Sequence, residues 1–276
     1  SGPSYPQQAG PEGIAQTPIM VSKAGLSERS IPFLEKLLPI SEINSSQVVL
    51  DASENATKYI PGSISIPYKE FSKEDESLRP IPELAEVLGQ AGVSRDDDVV
   101  VYGECLPCGG GPSAATYVYW VLCYLGHDKV KLLDGGMKEW DEAGLPTTST
   151  PAKRPATSYD PRPRLDLLAA YDYVKSGMPQ IIDARPTQEY LGAGGAIPGS
   201  VNIPSDLVAD SDRIKSEDEL KEVFSGISKD RPVVVYTNTG VKASVVWFAL
   251  ELQGYEAELY SVQDYLSHKR QKNSNT

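Results

Sequence analysis

Chemistry in this chain is most readily sought at its three thiols, Cys105, Cys108 and Cys123. Two of them form a C-x-x-C pair within Gly103-Glu104-Cys105-Leu106-Pro107-Cys108-Gly109-Gly110-Gly111-Pro112-Ser113. Thiolate is the nucleophilic form of cysteine, and a neighbouring helix N-terminus lowers the pKa that governs it. Cys108 stands just ahead of an apolar run, 113–125, that reads as a helix. Gly109, Gly110 and Gly111 lie between them, and glycine lets backbone N–H groups turn inward as a nest for a thiolate or an anion. The same spacing also suits a redox pair. Three cysteines are too few for a disulfide framework. Zinc is disfavoured because no second ligand pair exists, and covalent haem because Gly109, not His, follows the pair. Cys123, among Val121, Leu122 and Leu125, reads as a small buried apolar residue. His127 and His268 lack metal-type spacing and read as surface residues.

The elements that must position these thiols are set by an internal repeat. Val48-Val49-Leu50-Asp51-Ala52 recurs as Gln180-Ile181-Ile182-Asp183-Ala184. Ile60-Pro61-Gly62-Ser63 recurs as Ile197-Pro198-Gly199-Ser200, and Val99-Val100-Val101-Tyr102 as Val233-Val234-Val235-Tyr236. Three matches in one order, about 135 residues apart, argue a duplicated domain rather than a solenoid. The valine runs read as strands buried on both faces. Each is followed by a loop of small residues and an apolar helix, 113–125 and 243–253, with Gly126 and Gly254 suited to the helix ends. Amphipathic spacing adds helices over 81–90 and 217–224. Strands alternating with helices give an α/β fold class: two tandem domains, each a mainly parallel sheet flanked by helices. The expected organisation is a flexible tail over 1–17, a first domain over 18–149, a proline-rich linker over 150–163 and a second domain over 164–276.

Net charge is −12. That argues against nucleic acid or an anionic membrane as partner, while backbone amides can still hold a small anion. The apolar runs are too short for a membrane span. The start at Ser1-Gly2-Pro3, without Met, leads to the expectation of a periplasmic or otherwise exported protein rather than a cytoplasmic one.

Taken as an ordered set, these motifs resemble the rhodanese (thiosulfate sulfurtransferase) family, in its tandem-domain form. The resemblance covers nearly the whole chain beyond the tail. Its most specific element is Leu133-Asp134-Gly135-Gly136-Met137-Lys138-Glu139-Trp140, similar to the family's L-x-G-G-x-x-x-W segment. Asp183-Ala184-Arg185 with Glu189-Tyr190 also matches closely. The family's loop, roughly C-x-x-G-x-[RK]-[AS], carries a sulfur atom as a cysteine persulfide. In the second copy it reads Thr237-Asn238-Thr239-Gly240-Val241-Lys242-Ala243. A threonine hydroxyl forms no persulfide, so the resemblance makes this an inactive loop. In the first copy, setting Cys108 at the nucleophile position puts Gly111 on the loop glycine and Ser113 in place of the basic residue. Aligning from the strand end instead puts Gly103 there; both alignments are open. Tandem members usually carry the cysteine in the second domain, and this chain reverses that.

The resemblance implies an enzyme that moves sulfane sulfur from thiosulfate or a related small anionic donor to a thiol or cyanide, through a Cys108 persulfide. Gly109, Gly110, Gly111 and Ser113 would bind the donor, in a site facing the interdomain cleft. Cys105 is either a resolving thiol that attacks the persulfide, a resting disulfide partner or an idle neighbour. Arg185 either lines a substrate pocket or makes a structural ion pair, the second being the commoner arrangement. Lys242 either binds an anion or is a solvated residue at a helix start. Asp51 and Asp183 end strands and are expected to hold loops. No cofactor or metal is called for. Two alternatives stand beside transfer: a degenerate pair that binds an anion or protein without turnover, and a C-x-x-C thiol–disulfide oxidoreductase with a redox protein as partner.

Overall fold

The computed structural model describes residues 29–276; the expected tail over 1–17 and the start of the first domain lie outside them. In the first half, β1 (Leu37–Leu38), β2 (Val48–Asp51), β3 (Ile64–Ser65), β4 (Val99–Tyr102) and β5 (Val130–Leu133) form one parallel sheet in the order β1-β5-β4-β2-β3. In the second half, β6 (Gln180–Asp183), β7 (Val201–Asn202), β10 (Val233–Thr237) and β11 (Ala257–Ser261) are ordered β11-β10-β6-β7, again parallel. Between β7 and β10 runs an antiparallel hairpin of β8 (Ala209–Asp210) and β9 (Arg213–Ile214). Leu168 makes a single parallel bridge to Leu259, the second half's remnant of the β1–β5 pairing.

The repeated sequence has one repeated geometry. Tyr102 and Tyr236 end equivalent strands, paired in register with Asp51 and Asp183. The Tyr102 hydroxyl accepts a 3.1 Å bond from the Ile60 amide and lies 3.2 Å from Ser63 Oγ. Tyr236 does the same with Ile197 at 3.0 Å and Ser200 Oγ at 3.3 Å. A buried phenol so satisfied ties the I-P-G-S turn to the sheet.

Helices flank both sheets. The first half has α1 (Ile31–Leu34), α2 (Ile81–Gln90), α3 (Ser113–Tyr124) and α4 (Met137–Glu142). The second has α5 (Tyr171–Lys175), α6 (Thr187–Tyr190), α7 (Glu217–Val223), α8 (Ala243–Leu252) and α9 (Val262–Ser274). Both α3 and α8 are apolar all round because each packs on its own sheet and on the other helix. They cross where Thr116 Oγ1 meets Ser244 Oγ at 2.7 Å, each residue standing at the same distance before the glycine, Gly126 or Gly254, that follows its helix. Tyr119 packs edge-on against Phe248, with ring centroids 4.9 Å apart. One core therefore runs through both halves, from Val99 and Trp120 to Val235 and Trp247.

The halves are also tied by charge. Buried Asp134, at the end of β5, accepts from Arg29 Nη2 at 2.7 Å and from Arg213 Nε at 3.1 Å, the latter from β9. Burial raises its pKa, yet the two guanidiniums outweigh that and hold it below the ordinary carboxylate value. The segment 150–163 forms no helix or strand but is hydrogen-bonded along the first half, Thr157 N to Gly89 O at 2.8 Å and Arg162 N to Leu125 O at 2.8 Å. His127 is a correction to the sequence reading: it is buried, not superficial. Tyr159 from that segment covers it, with Nδ1 2.8 Å from the Tyr159 hydroxyl and Nε2 2.7 Å from Asp97 O. His268 is half-exposed and stacks on Tyr171 at 4.6 Å.

Candidate active site

Because α3 and α8 cross near their N-termini, the loops that precede them open on the boundary between the halves. In the second half the loop after Tyr236 is short. Thr237 is buried, and its Oγ1 accepts from Gly240 N at 3.1 Å and Ala243 N at 3.4 Å. Its hydroxyl thus occupies two inward-facing amides.

The first-half loop is longer, 103–112 against 237–242 between the matched tyrosine and the helix. Sheet register makes Gly103, not Cys108, the counterpart of Thr237. A side chain is excluded there: φ is +145°, and a Cβ would lie 2.7 Å from Ser53 N. The thiols stand on the extra residues beyond it. Cys105 N donates to Gly111 O at 3.1 Å and Gly110 N to Cys105 O at 2.9 Å, closing residues 105–111 into a compact turn. Within it Cys105 and Cys108 form a disulfide, with Cα atoms 5.2 Å apart. Gly109, Gly110 and Gly111 all have φ near +90° (92°, 90° and 88°), a run that only glycine adopts without strain.

Here the structure differs from the expected nest. The amides of Cys108 and Gly110 donate to Cys105 O, and that of Gly109 to Leu106 O. They are spent inside the turn because C-x-x-C closure curls the segment onto its own carbonyls. The amides left for an anion are that of Gly111 and those of the first turn of α3, which have no carbonyl one turn back.

The two sulfurs have different surroundings. Cys105 is fully buried, with the Tyr68 hydroxyl 3.4 Å from its sulfur. With the disulfide closed, that hydroxyl is the donor. Cys108 is half-buried and lines a cleft of about 250 Å³. One wall is Gly109, Gly110, Gly111, Pro112 and Ser113; the other, from the second half, includes Ser205, Ala209, Ser211 and Lys242. The β8–β9 turn closes the cleft, bringing Ser211 O to 3.6 Å from where a Gly111 Cβ would stand. The same turn buries Asp212 beside Gly136. Burial, with Glu104 and Glu139 nearby, pushes its carboxyl up to about 7. Of the two cysteines, Cys108 is the one that faces this cleft, with Cys105 buried away from it.

A family model described as the rhodanese-like domain matches residues 40–143 and again 167–264. The chain belongs to the rhodanese family. A Mycobacterium bovis protein that is a thiosulfate sulfurtransferase by name is 30% identical over 251 residues, covering 82% of this chain and 88% of its own. A Haloferax volcanii protein of the same name is 31% identical over 235 residues, covering 76% and 80%. Among solved structures, the 3-mercaptopyruvate sulfotransferase SseA of Escherichia coli superposes with a TM-score of 0.71 at 23% identity, covering 82% of this chain and 97% of that one. EanB, in a persulfide form with ergothioneine, superposes at 0.76 with 18% identity, covering 87% and 70%. These two share the fold. The relatives make this rhodanese a sulfurtransferase of the thiosulfate sulfurtransferase type.

The rhodanese loop residues read from the sequence are not all at one place. Cys108, Gly109, Gly110, Gly111, Ser113 and Lys242 line the cleft together. Thr237 is buried behind it, and Arg185 is not among the lining residues. Arg185 makes an ion pair instead: its guanidinium holds Asp183 at 2.8 Å, donates to Gly195 O at 3.0 Å and lies over the Tyr236 ring. The turn it occupies exists in the first half too, where Ser53 N donates to Asp51 Oδ1 at 2.8 Å as Arg185 N does to Asp183 Oδ1 at 2.9 Å. Cys123 keeps a little surface, and burial pushes its thiol up to about 12, away from the thiolate form. Tyr68, Asp212 and the β8–β9 wall were not legible as site elements. Tyr68 directly follows the I-S-I-P stretch, and that position was the only available signal.

Proposed function

We propose that this rhodanese transfers sulfane sulfur from a small anionic donor, thiosulfate or a relative of it, through a persulfide on Cys108. The observation that carries the reading is the Cys108 sulfur on the interdomain cleft, one disulfide bond from a buried partner. The thiosulfate sulfurtransferase names of the relatives support the donor class.

In the reduced protein the Cys108 thiolate attacks the outer sulfur of thiosulfate. The new S–S bond takes the place of the S–S bond to the sulfonate, and sulfite leaves with its electron pair. Two exits from the persulfide balance. A cyanide or thiolate removes the outer sulfur as thiocyanate or a new persulfide and returns the Cys108 thiolate. Alternatively the Cys105 thiol attacks Cys108 Sγ, hydrosulfide leaves, and the Cys105–Cys108 disulfide forms. That second exit stores two oxidising equivalents, which a dithiol reductant must remove before the next turnover. The Tyr68 hydroxyl is placed to donate to the Cys105 thiolate when the disulfide opens.

The test is steady-state transfer from thiosulfate to cyanide and to a small thiol, with and without a dithiol reductant. Cys108→Ser is expected to abolish both transfers. Cys105→Ser is expected to retain transfer to cyanide while losing hydrosulfide release. Undiminished transfer by Cys108→Ser would refute the reading. A protein that cycles only between dithiol and disulfide, with no sulfur moved, is a thiol–disulfide oxidoreductase instead.

A further inference from the structure

The cleft that holds Cys108 has an unbalanced origin. Its sulfur comes from the first half, yet the loop from Gly103 to Ala114 contains no Lys or Arg. The cation on its wall is Lys242, from the loop of the half that has no cysteine. That lysine lies away from its own loop's cleft. The larger space beside Thr239 and Gly240 is lined by Tyr117, Trp120, Leu259 and Arg270, and Lys242 is not part of it. Among the described residues Lys242 makes no ion pair, and it is half-buried at the start of α8. A second group in the cleft is also unspent. Ser113 is 3% exposed, lines the same space, and its Oγ has no hydrogen-bond partner. A buried hydroxyl without a partner costs stability unless a ligand completes it. Asp206 lines the cleft too, but it is exposed, where solvent screens its charge.

We infer that Lys242 and Ser113 form the anion subsite of the Cys108 centre, with the cysteine-free half supplying the charge that holds the donor's sulfonate. This rests on the sulfur-transfer reading above and assigns to the second half a task within it. A donor whose sulfonate pairs with the Lys242 ammonium and accepts from Ser113 Oγ presents its far sulfur toward Cys108. The cysteine-free half thus has a binding role at the other half's sulfur.

Thiosulfate is compared with hydrosulfide in wild type, Lys242→Met and Lys242→Arg. Hydrosulfide carries no sulfonate and loads the disulfide form by attacking Cys108 Sγ and expelling the Cys105 thiolate. For Lys242→Met, the KM for thiosulfate is expected to rise roughly tenfold or more with kcat nearly kept, as for loss of one charge-assisted hydrogen bond. Lys242→Arg restores most of it, and loading by hydrosulfide changes less than about twofold in either variant. An unchanged KM for thiosulfate, or equal losses with both donors, overturns the inference. Wild-type protein that takes sulfur from neither donor defeats the transfer reading. Methanesulfonate, which has no sulfur to give, then decides the subsite by NMR titration. Shifts in the amides of Gly109, Gly110, Gly111 and Ser113 that vanish in Lys242→Met support it, and no shifts in wild type overturn it.

Discussion

Thr237 accepts from two loop amides but has a hydroxyl; Cys108 has the sulfur, but its own amide and those of Gly109 and Gly110 are bonded within the turn. Thr237→Cys would therefore put a thiol among two donors already in place. The substitution removes a methyl group and exchanges oxygen for sulfur, so its structural cost is small. The expected outcome is a second site that takes sulfur from thiosulfate, detected as transfer to cyanide in a Cys105→Ser/Cys108→Ser background. No transfer there would mean that the cleft beside Thr239 no longer admits a donor.

The loop between β4 and α3 is the element on which transfer depends, and its glycines decide its shape. Gly110→Ala places a Cβ at φ +90° and 3.4 Å from Glu104 Oε1. The expected cost is about 1–2 kcal/mol, read by urea denaturation, with slower reclosure of the disulfide read by thiol titration. An unaltered denaturation midpoint would show that this turn is not held in the left-handed region. The helices after both loops were legible in the sequence. Apolar runs ending at Gly126 and Gly254 gave 113–125 and 243–253, against Ser113–Tyr124 and Ala243–Leu252 observed. Local periodicity suffices for such elements. Glycine content revealed that the Cys108 loop could take positive φ, but not which carbonyls its amides would meet. That choice follows from C-x-x-C closure, a property of the folded turn. Arg185 was ambiguous for a related reason: its partner Asp183 was visible two residues away, but its distance from the Cys108 cleft was not.

At the scale of the molecule, the duplication was readable because its motifs recur in order, whereas contacts between the copies were not. Those contacts join residues far apart in the chain, such as Asp134 with Arg213 and Gly136 with Asp212. They also give the interface opposing responses to pH. Asp134 is depressed, so its contribution is present above the unfolded carboxylate pKa and is lost as pH falls through its lower folded value. Asp212 is raised to about 7, so the folded state favours its proton. Its stabilising term is full below the unfolded value of 3.8 and is lost as pH rises from there to about 7. Asp212→Asn mimics the protonated carboxyl and is expected to raise Tm by at least about 2–4 °C at pH 8, with little change at pH 4. Calorimetry across that range checks it, and an equal shift at both pH values would contradict a titrating Asp212.

The central claim is that one sulfur atom resides on Cys108. Intact and peptide-resolved mass spectrometry of reduced Cys105→Ser protein, in which no neighbouring thiol can expel the sulfur, after thiosulfate and quenching with an alkylating agent, tests it most directly. The account predicts a single added sulfur on the peptide bearing Cys108, absent from Cys108→Ser and released by cyanide. A reduced, folded protein that acquires no sulfur, or acquires it at Cys123, would contradict it.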